Sequence, residues 1–381
     1  MQIETKLPAV GTTIFTVMSQ LAIEHKAINL GQGFPDFDPP PALVDALART
    51  MREGHNQYAP MTGITALREQ IALKTERLYG RRIGVDTEIT VTSGATEALF
   101  AAIACSVRAG EEVIVLDPCY DSYQPAIDLQ GARAVHVPLR LPDFSVDWQR
   151  VRDAVTPCTR MIIVNSPHNP SGAVFSTADL DALAELAQAH GLWVLSDEVY
   201  EHIVFDDAQH QSALRHPALA ERSFVVSSFG KTYHCTGWKL GYCIAPKTLS
   251  AEFRKVHQYL TFCSFQPAQW AFAEMLAQAP GHYLALPAFY QAKRDHFRAL
   301  LAPSRLQLLS VPGGYFQLAD YSAIRDVDDL NFCDWLVREV GVAAIPLSPF
   351  YETPPDARLL RFCFAKSDAT LAAAAERLCK L

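Results

Sequence analysis

The sequence predicts an α/β protein: a three-layer αβα domain around a mostly parallel seven-stranded sheet, with a smaller α+β domain beside it. Seven short apolar, β-rich runs recur at residues 88–92, 112–116, 134–137, 161–164, 192–196, 224–228 and 240–245. Several are apolar without interruption, the pattern of strands buried on both faces. Helical patterns separate them, and such alternation puts helices on both sides of a parallel sheet. The stretch from Ser176 to Gly191 shows the logic residue by residue. Ser176 and Asp179 have capping-box spacing, Leu180, Leu183, Ala184, Leu186 and Ala187 form one apolar stripe, and Gly191 is placed to end the helix. Beyond about residue 280 the pattern changes. Helices are expected over 282–301, broken at Pro287, and over 328–340, stopped at Gly341. Val311-Pro312-Gly313-Gly314-Tyr315-Phe316 reads as a hairpin turn, 359–365 as a strand and 370–381 as a last helix.

Composition narrows the possible roles. A chain of 381 residues, 49% apolar, can bury a large core and form two domains. No run reaches the length of a membrane span, and Met1-Gln2-Ile3-Glu4-Thr5-Lys6 has no apolar signal core. A cytoplasmic protein is therefore expected. The 33 basic and 41 acidic residues give a formal charge of −8 without a basic cluster, which argues against a nucleic-acid partner. The nine cysteines are scattered, odd in number and lack a CxxC pair. They read as reduced thiols and not as a disulfide or zinc framework.

Four of the predicted strands end in residues suited to chemistry, and strand ends are where open α/β sheets bind ligands. Lys231 follows the run 224–228 in Ser227-Ser228-Phe229-Gly230-Lys231-Thr232-Tyr233-His234. A lysine whose site lowers its pKa forms a Schiff base with an aldehyde cofactor. Lys239 and the Ser228 hydroxyl offer a phosphate group a cation and a neutral donor. Two surface lysines flanking a sheet are the plain alternative. Asp197 closes the apolar run that begins at Leu192. A carboxylate buried there needs a positive partner such as a pyridinium nitrogen; capping a following helix is the other reading. Tyr200 and the Asn169 amide, the latter in Asn165-Ser166-Pro167-His168-Asn169-Pro170-Ser171-Gly172, are placed to reach a phenolic oxygen on the same ring. Ser93-Gly94-Ala95-Thr96 opens a helix after the run 88–92. The Ala95 and Thr96 N–H groups then point at an anion, and Gly94 lets the backbone approach it.

With these segments in this order, the chain resembles the class I/II aminotransferases, the fold-type I enzymes that use pyridoxal 5'-phosphate. The resemblance runs from Asn29-Leu30-Gly31-Gln32-Gly33-Phe34-Pro35 to Arg358-Leu359-Leu360-Arg361-Phe362. The block from Ser227 to Tyr242 is most similar to the branch of methionine and kynurenine/glutamine aminotransferases. The resemblance implies a large cofactor-binding domain over 46–279 and a small domain made of 1–45 and 280–381. It implies that Lys231 carries the cofactor and then moves the proton, and that Asp197 keeps the ring nitrogen protonated. Tyr120 matches the residue that stacks on the ring. Arg361 matches the clamp for the substrate carboxylate, completed by the Gly33 backbone and Asn169. Tyr58 matches a tyrosine donated to the phosphate by a partner subunit, so a homodimer with shared sites is expected.

Substrates are then an amino acid and a 2-oxo acid, converted in a ping-pong reaction. No second arginine stands out for a dicarboxylic substrate. Phe15, Phe34, Tyr58, Tyr120, Tyr123 and Phe262 are candidates for an apolar wall, which favours an apolar, sulfur-containing or aromatic side chain, methionine foremost. His168 stands where the family often has asparagine and Ala173 where it often has lysine; both are positions that could tune the pocket. Arg358, three residues from Arg361 on the same strand, should face the other side, toward solvent. A carbon–sulfur β-lyase or a cyclopropane-forming cyclase would use the same lysine, aspartate and tyrosine. A non-enzymatic regulator on this fold fits less well, because the resemblance starts within the first thirty residues and the charge is negative.

Overall fold

In the computed structural model, which describes residues 4–381, the seven predicted strands join in one sheet. In chain order the strands are β1 (Ile28–Asn29), β2 (Ile89–Thr92), β3 (Glu112–Asp117), β4 (Arg133–Pro138), β5 (Thr159–Asn165), β6 (Trp193–Asp197), β7 (Ser223–Ser228), β8 (Gly241–Ile244), β9 (Gln307–Leu308), β10 (Phe316–Asp320), β11 (Val342–Ala343), β12 (Ile345–Pro346) and β13 (Leu359–Cys363). The large sheet has the order β2-β8-β7-β6-β5-β3-β4. Only β8 runs backwards; every pairing that does not involve it is parallel. Its reversal puts Gly241, the first residue of β8, opposite Thr92 and Ser228, the last residues of β2 and β7.

The uninterrupted apolar runs are explained by burial on both faces. Val113 and Val115 of β3 pack into the core that includes the helix Ala95–Ser106, while Ile114 and Leu116 join the larger core on the opposite face. Successive side chains of a strand point to opposite faces, so a strand between two helical layers must be apolar at every position. The helix Thr177–His190 has both bonds of the Ser176–Asp179 capping box, and Gly191 ends it in the left-handed conformation. A second sheet, β12-β13-β10-β9, is antiparallel throughout, and β1 pairs with β11 in parallel. Residues near the start of the chain thus pack with residues near its end. No helix among the described residues is long and apolar enough to cross a membrane.

Two expectations fail locally. The helix Gly281–Leu301 runs straight through Pro287. Proline there removes one backbone bond, but Tyr283, Leu286, Tyr290, Arg294, Phe297 and Leu301 are buried along one face on both sides of it. Tertiary packing outweighs the local cost. The segment 311–316 is also no tight turn. β9 and β10 pair only through Leu308 and Gln307, leaving a wide connection. Its glycine allows close packing instead: a side chain at Gly313 would lie 2.8 Å from Val174 and 3.0 Å from the Ile203 carbonyl oxygen.

A buried ion pair fixes the segment after β6. Lys74 Nζ, on the helix Thr65–Tyr79, lies 2.7 Å from Glu201 Oε1, and Tyr79 and Tyr242 donate to the same carboxylate. Burial would raise the Glu201 pKa, but Lys74 and the hydrogen bonds outweigh it and hold the carboxyl far below its usual range. A depressed carboxyl adds stability above its ordinary value of 4.5, and that stability is lost as pH falls. Lys74→Met leaves Glu201 buried without its cation and is expected to cost about 3–5 kcal/mol. Urea unfolding of the purified variant measures this. A loss below about 1 kcal/mol, typical of exposed pairs, would show that the pair does not hold the segment.

Candidate active site

The ends of β2, β3, β5, β6 and β7 and the start of β8 open onto one cavity of about 260 Å³. Its walls contain Ala95, Thr96, Tyr120, Asn169, Asp197, Tyr200, Ser228, Lys231 and Lys239 on the large-sheet side. Phe15, Gly33, Phe34 and Arg361 close it from the other side. Of the residues read as candidates for the site, Tyr58, Tyr123, Phe262, His168 and Ala173 are not among its walls.

Lys231 sits in the single-turn helix Phe229–Thr232, directly after β7. Its amine donates to the Gly33 carbonyl oxygen and to the Tyr315 hydroxyl, each at 3.0 Å. Exclusion of water by the cavity walls lowers its pKa to about 8, with the nearby Arg361 charge acting in the same direction. An amine in that range is available as a nucleophile and as a proton carrier near neutral pH.

Asp197 is buried at the end of β6. Burial raises its pKa to about 6, although the Tyr123 hydroxyl donates to Oδ2 at 2.7 Å and the Val199 N–H to Oδ1 at 3.3 Å. No cationic side chain among the described residues lies within ion-pair distance of it. A cationic ring nitrogen in the cavity would supply the missing partner and return the carboxyl to its ionised form. The helix-cap alternative fails, because turns and not a helix follow Asp197.

One end of the cavity is built from bare backbone. Ala95 and Thr96 are the first residues of the helix Ala95–Ser106, so their N–H groups have no partner within the helix. A side chain at Gly94 would come within 3.3 Å of Lys239 Cε, and one at Gly241 within 2.7 Å of the Ser227 carbonyl oxygen and 3.1 Å of the Ala95 nitrogen. Lys239 itself adopts the left-handed conformation, φ 50°, which is uncommon outside glycine and marks a position the fold enforces. Cation, Ser228 hydroxyl and free N–H groups together fit a phosphate dianion.

Arg361 is fully buried on β13. Nη1 donates to Asn169 Oδ1 at 2.8 Å and Nη2 to the Gly31 carbonyl oxygen at 2.9 Å, while Nε has no partner. The guanidinium lies 4.0 Å from the Phe316 ring centre and 5.1 Å from that of Phe15. Its hydrogen-bond acceptors are neutral. Asp121 acts on this buried guanidinium only from beyond ion-pair distance, so an incoming carboxylate in direct contact is favoured. Arg358 lies just before β13 and pairs with Asp326 and Asp356 at the surface, as expected of the solvent-facing arginine.

Other expectations are corrected. Tyr58 is 81% exposed and packs edge-on against Phe262, with ring centres 5.3 Å apart; neither lines the cavity of its own chain. Tyr123 is not a wall residue but stands behind Asp197. His168 and Ala173 do not line the cavity. The turn closes on itself: the His168 N–H donates to the Ala173 carbonyl oxygen, and Nδ1 lies 2.7 Å from Ser171 Oγ. Burial lowers the His168 pKa to about 4. Asn165 and Tyr315 escaped the sequence reading as contributors, and Tyr123 figures there only as a wall candidate. Asn165 donates to the Asp197 carbonyl oxygen and accepts from the Asn169 N–H. Tyr123 and Tyr315 hold Asp197 and Lys231. Tyr123 had a faint signal, one helical turn after Tyr120; Tyr315, far along the chain, had none.

The comparisons with known proteins agree with this geometry. The family model for aminotransferase class I and II matches residues 25–378, and the chain belongs to that family. The family and its fold imply pyridoxal 5'-phosphate as the cofactor. The methionine aminotransferase of Escherichia coli is 57% identical over 378 residues, 99% of this chain and 98% of that protein. A crystal structure of an Escherichia coli protein assigned a methionine aminotransferase function superimposes with a TM-score of 0.98 over 100% of both chains, at 57% identity. The N-succinyldiaminopimelate aminotransferase structure from Mycobacterium tuberculosis superimposes with a TM-score of 0.96 over 100% of both chains, at 42% identity. Kynurenine–oxoglutarate transaminase 1 of Mus musculus is 35% identical, covering 95% of this chain and 93% of that one.

The raised Asp197 pKa has a measurable consequence. Between the ordinary value of 3.8 and about 6 the folded apoprotein binds more protons than the unfolded chain. Its stability should therefore fall as pH rises through that window. Asp197→Asn is expected to remove this component from the pH profile of the apoprotein melting temperature. An unaltered profile would mean that the carboxyl is not held as described.

Proposed function

We propose that the chain is an aminotransferase moving the amino group of an L-amino acid with an apolar side chain, methionine foremost, to a 2-oxo acid. The observation that carries this reading is the unneutralised Arg361 guanidinium, set among phenylalanine rings and facing the same cavity as Lys231 and Asp197. No second arginine lines that cavity among the described residues, which leaves an acidic side chain without a partner. The 57% identity to a methionine aminotransferase supports the same substrate.

Pyridoxal 5'-phosphate, when bound, supplies the electron sink that lets an amino acid lose its α-proton. The residues divide the remaining work. Ser228, Lys239 and the Ala95 and Thr96 N–H groups would hold the phosphate; Asp197 would pair with the ring nitrogen; Tyr200 and Asn169 would serve the phenolic oxygen; Tyr120 would offer an aromatic surface to the ring. Lys231 serves as covalent anchor. Its Nζ, when free, would be the group that holds the proton removed from the substrate's α-carbon. Arg361 orients the substrate carboxylate with Asn169 and the Gly33 backbone, and Phe15 and Phe34 accommodate the side chain.

The unit we propose is a homodimer in which Tyr58 of the partner subunit completes the phosphate site. The exposure of Tyr58, Tyr259 and Phe265 around Phe262 supports an interface there. The division into a domain over 46–279 and one formed by both chain ends is supported by the β1–β11 pairing. A reducing compartment such as the cytoplasm suits nine free cysteines, most of them buried.

Borohydride reduction followed by peptide mapping is expected to place a phosphopyridoxyl group on Lys231; an adduct on Lys239 would reverse the assignment. Lys231→Ala should lower transamination by about a hundredfold to ten-thousandfold. In a donor screen, methionine should outpace aspartate and form its 2-oxo acid only when an acceptor is present. Pyruvate and ammonia released from cystathionine without an acceptor would instead identify a β-lyase. For the dimer, Lys231→Ala and Tyr58→Phe chains are mixed. One site of normal cofactor affinity should appear, on the Tyr58→Phe subunit, because the partner's Tyr58 is intact; uniformly weak binding at intact Lys231 would place the tyrosine in its own chain's site.

A further inference from the structure

We infer that Tyr315 is a positioning residue for Lys231: its hydroxyl and the Gly33 carbonyl form the resting place of the lysine amine whenever that amine is not covalently engaged. The inference rests on the reading of Lys231 as anchor and proton carrier. Tyr315 is fully buried in the residue before β10 and is not among the cavity walls. Its oxygen accepts from Lys231 Nζ at 3.0 Å, and its own proton is directed to the Gly33 carbonyl oxygen at 2.7 Å. The same carbonyl accepts from Nζ at 3.0 Å. The three atoms close a triangle in which each donor has an acceptor. A phenol has one proton, and here Gly33 takes it, so the lone pairs are left for the amine.

The ring that carries this hydroxyl is fixed. It meets Tyr200 edge-on with ring centres 5.0 Å apart, Phe316 at 4.9 Å and Tyr290 at 5.7 Å. Its carbonyl accepts from the Phe364 N–H at 3.0 Å. A lysine side chain has several rotatable bonds and considerable conformational freedom. A proton carrier works only when its nitrogen waits within reach of the atoms it serves. Two acceptors on a rigid support restrict Nζ to one side of the cavity. They also link the lysine to the substrate-carboxylate side, because Gly31, two residues before Gly33, accepts from Arg361.

The test is Tyr315→Phe, which preserves the ring. The cofactor dissociation constant should be unchanged and borohydride should still label Lys231, because the hydroxyl does not line the cavity. Single-turnover removal of the α-proton from methionine should slow by about ten- to a hundredfold, the scale set by misplacing a reacting group. A primary isotope effect with α-deuterated methionine should mark proton removal as the slowed step. In the apoprotein, the pH profile for reductive methylation of Lys231 should move to lower pH, because the ammonium has lost an acceptor. Tyr290→Phe is the control; its hydroxyl lies 3.0 Å from His234 Nδ1 and should affect none of these readouts. Unchanged proton removal together with an unchanged methylation profile overturns the inference. So does a loss of cofactor affinity equal to that of Tyr200→Phe with the methylation profile intact, which would place the effect on Tyr200. If the unmodified protein yields no reducible adduct on Lys231, the assignment of the lysine as anchor fails, while the methylation profile still decides whether Tyr315 holds the amine.

Discussion

Three charged groups face one cavity without being neutralised by the chain itself, and the rest of the site depends on that imbalance. Lys231 is pushed down to about 8 and Asp197 up to about 6, each mainly by burial. Arg361 is buried beside aromatic rings and neutral oxygens. Such an arrangement works against folding, because buried charge is costly without a partner. It persists because the groups sit at strand ends of a sheet buried on both faces, whose apolar contacts supply the stability. Unmet charges of this kind would favour a ligand that brings the complementary groups.

Precision comes from residues behind those groups. Tyr123 and Asn165 grip Asp197 by its side chain and its backbone. Asn165 also ties down Asn169, which in turn meets Arg361. Glu201, next to Tyr200, is satisfied by Lys74 and two tyrosines, so the turn that carries Tyr200 cannot drift. The reversed strand β8 has an equivalent role at the end built from bare backbone. It brings Gly241 against Ala95 and lets Lys239 reach over Gly94. Packing at these contacts fixes where each reactive group sits, and a misplacement of about 1 Å is enough to slow such chemistry markedly.

Much of this was legible in the sequence. Several of the seven strands of the large sheet contain uninterrupted apolar runs; Asp197 ends one strand of this sheet, and the segments that follow two others hold Lys231 and the Gly94 turn. Burial on both faces forces that pattern, so local composition reports the sheet directly. The misses share a different cause. Pro287 promises a helix break, yet the helix continues, because its buried face is held from both sides by packing that no local signal reveals. Gly313 and Gly314 promise a turn, yet Gly313 serves close packing against Val174 and Ile203. Phe262 reads as a pocket aromatic, yet it does not line the cavity of its own chain.

The sequence by itself determined the fold class, the aminotransferase family and the residues whose chemistry defines the cavity. The fold class follows from periodicity, several cavity residues from reactive side chains placed at the ends of apolar runs, and the family from the resemblance of motifs along the chain; all of these are local. Only the tertiary structure decided which neighbours tune them. The Lys231–Tyr315 contact joins residues 84 apart, Tyr123–Asp197 joins residues 74 apart, and Arg361 meets Gly31 across 330. Contacts of that range arise from the packing of layers and sheets, and a one-dimensional pattern has no term for them.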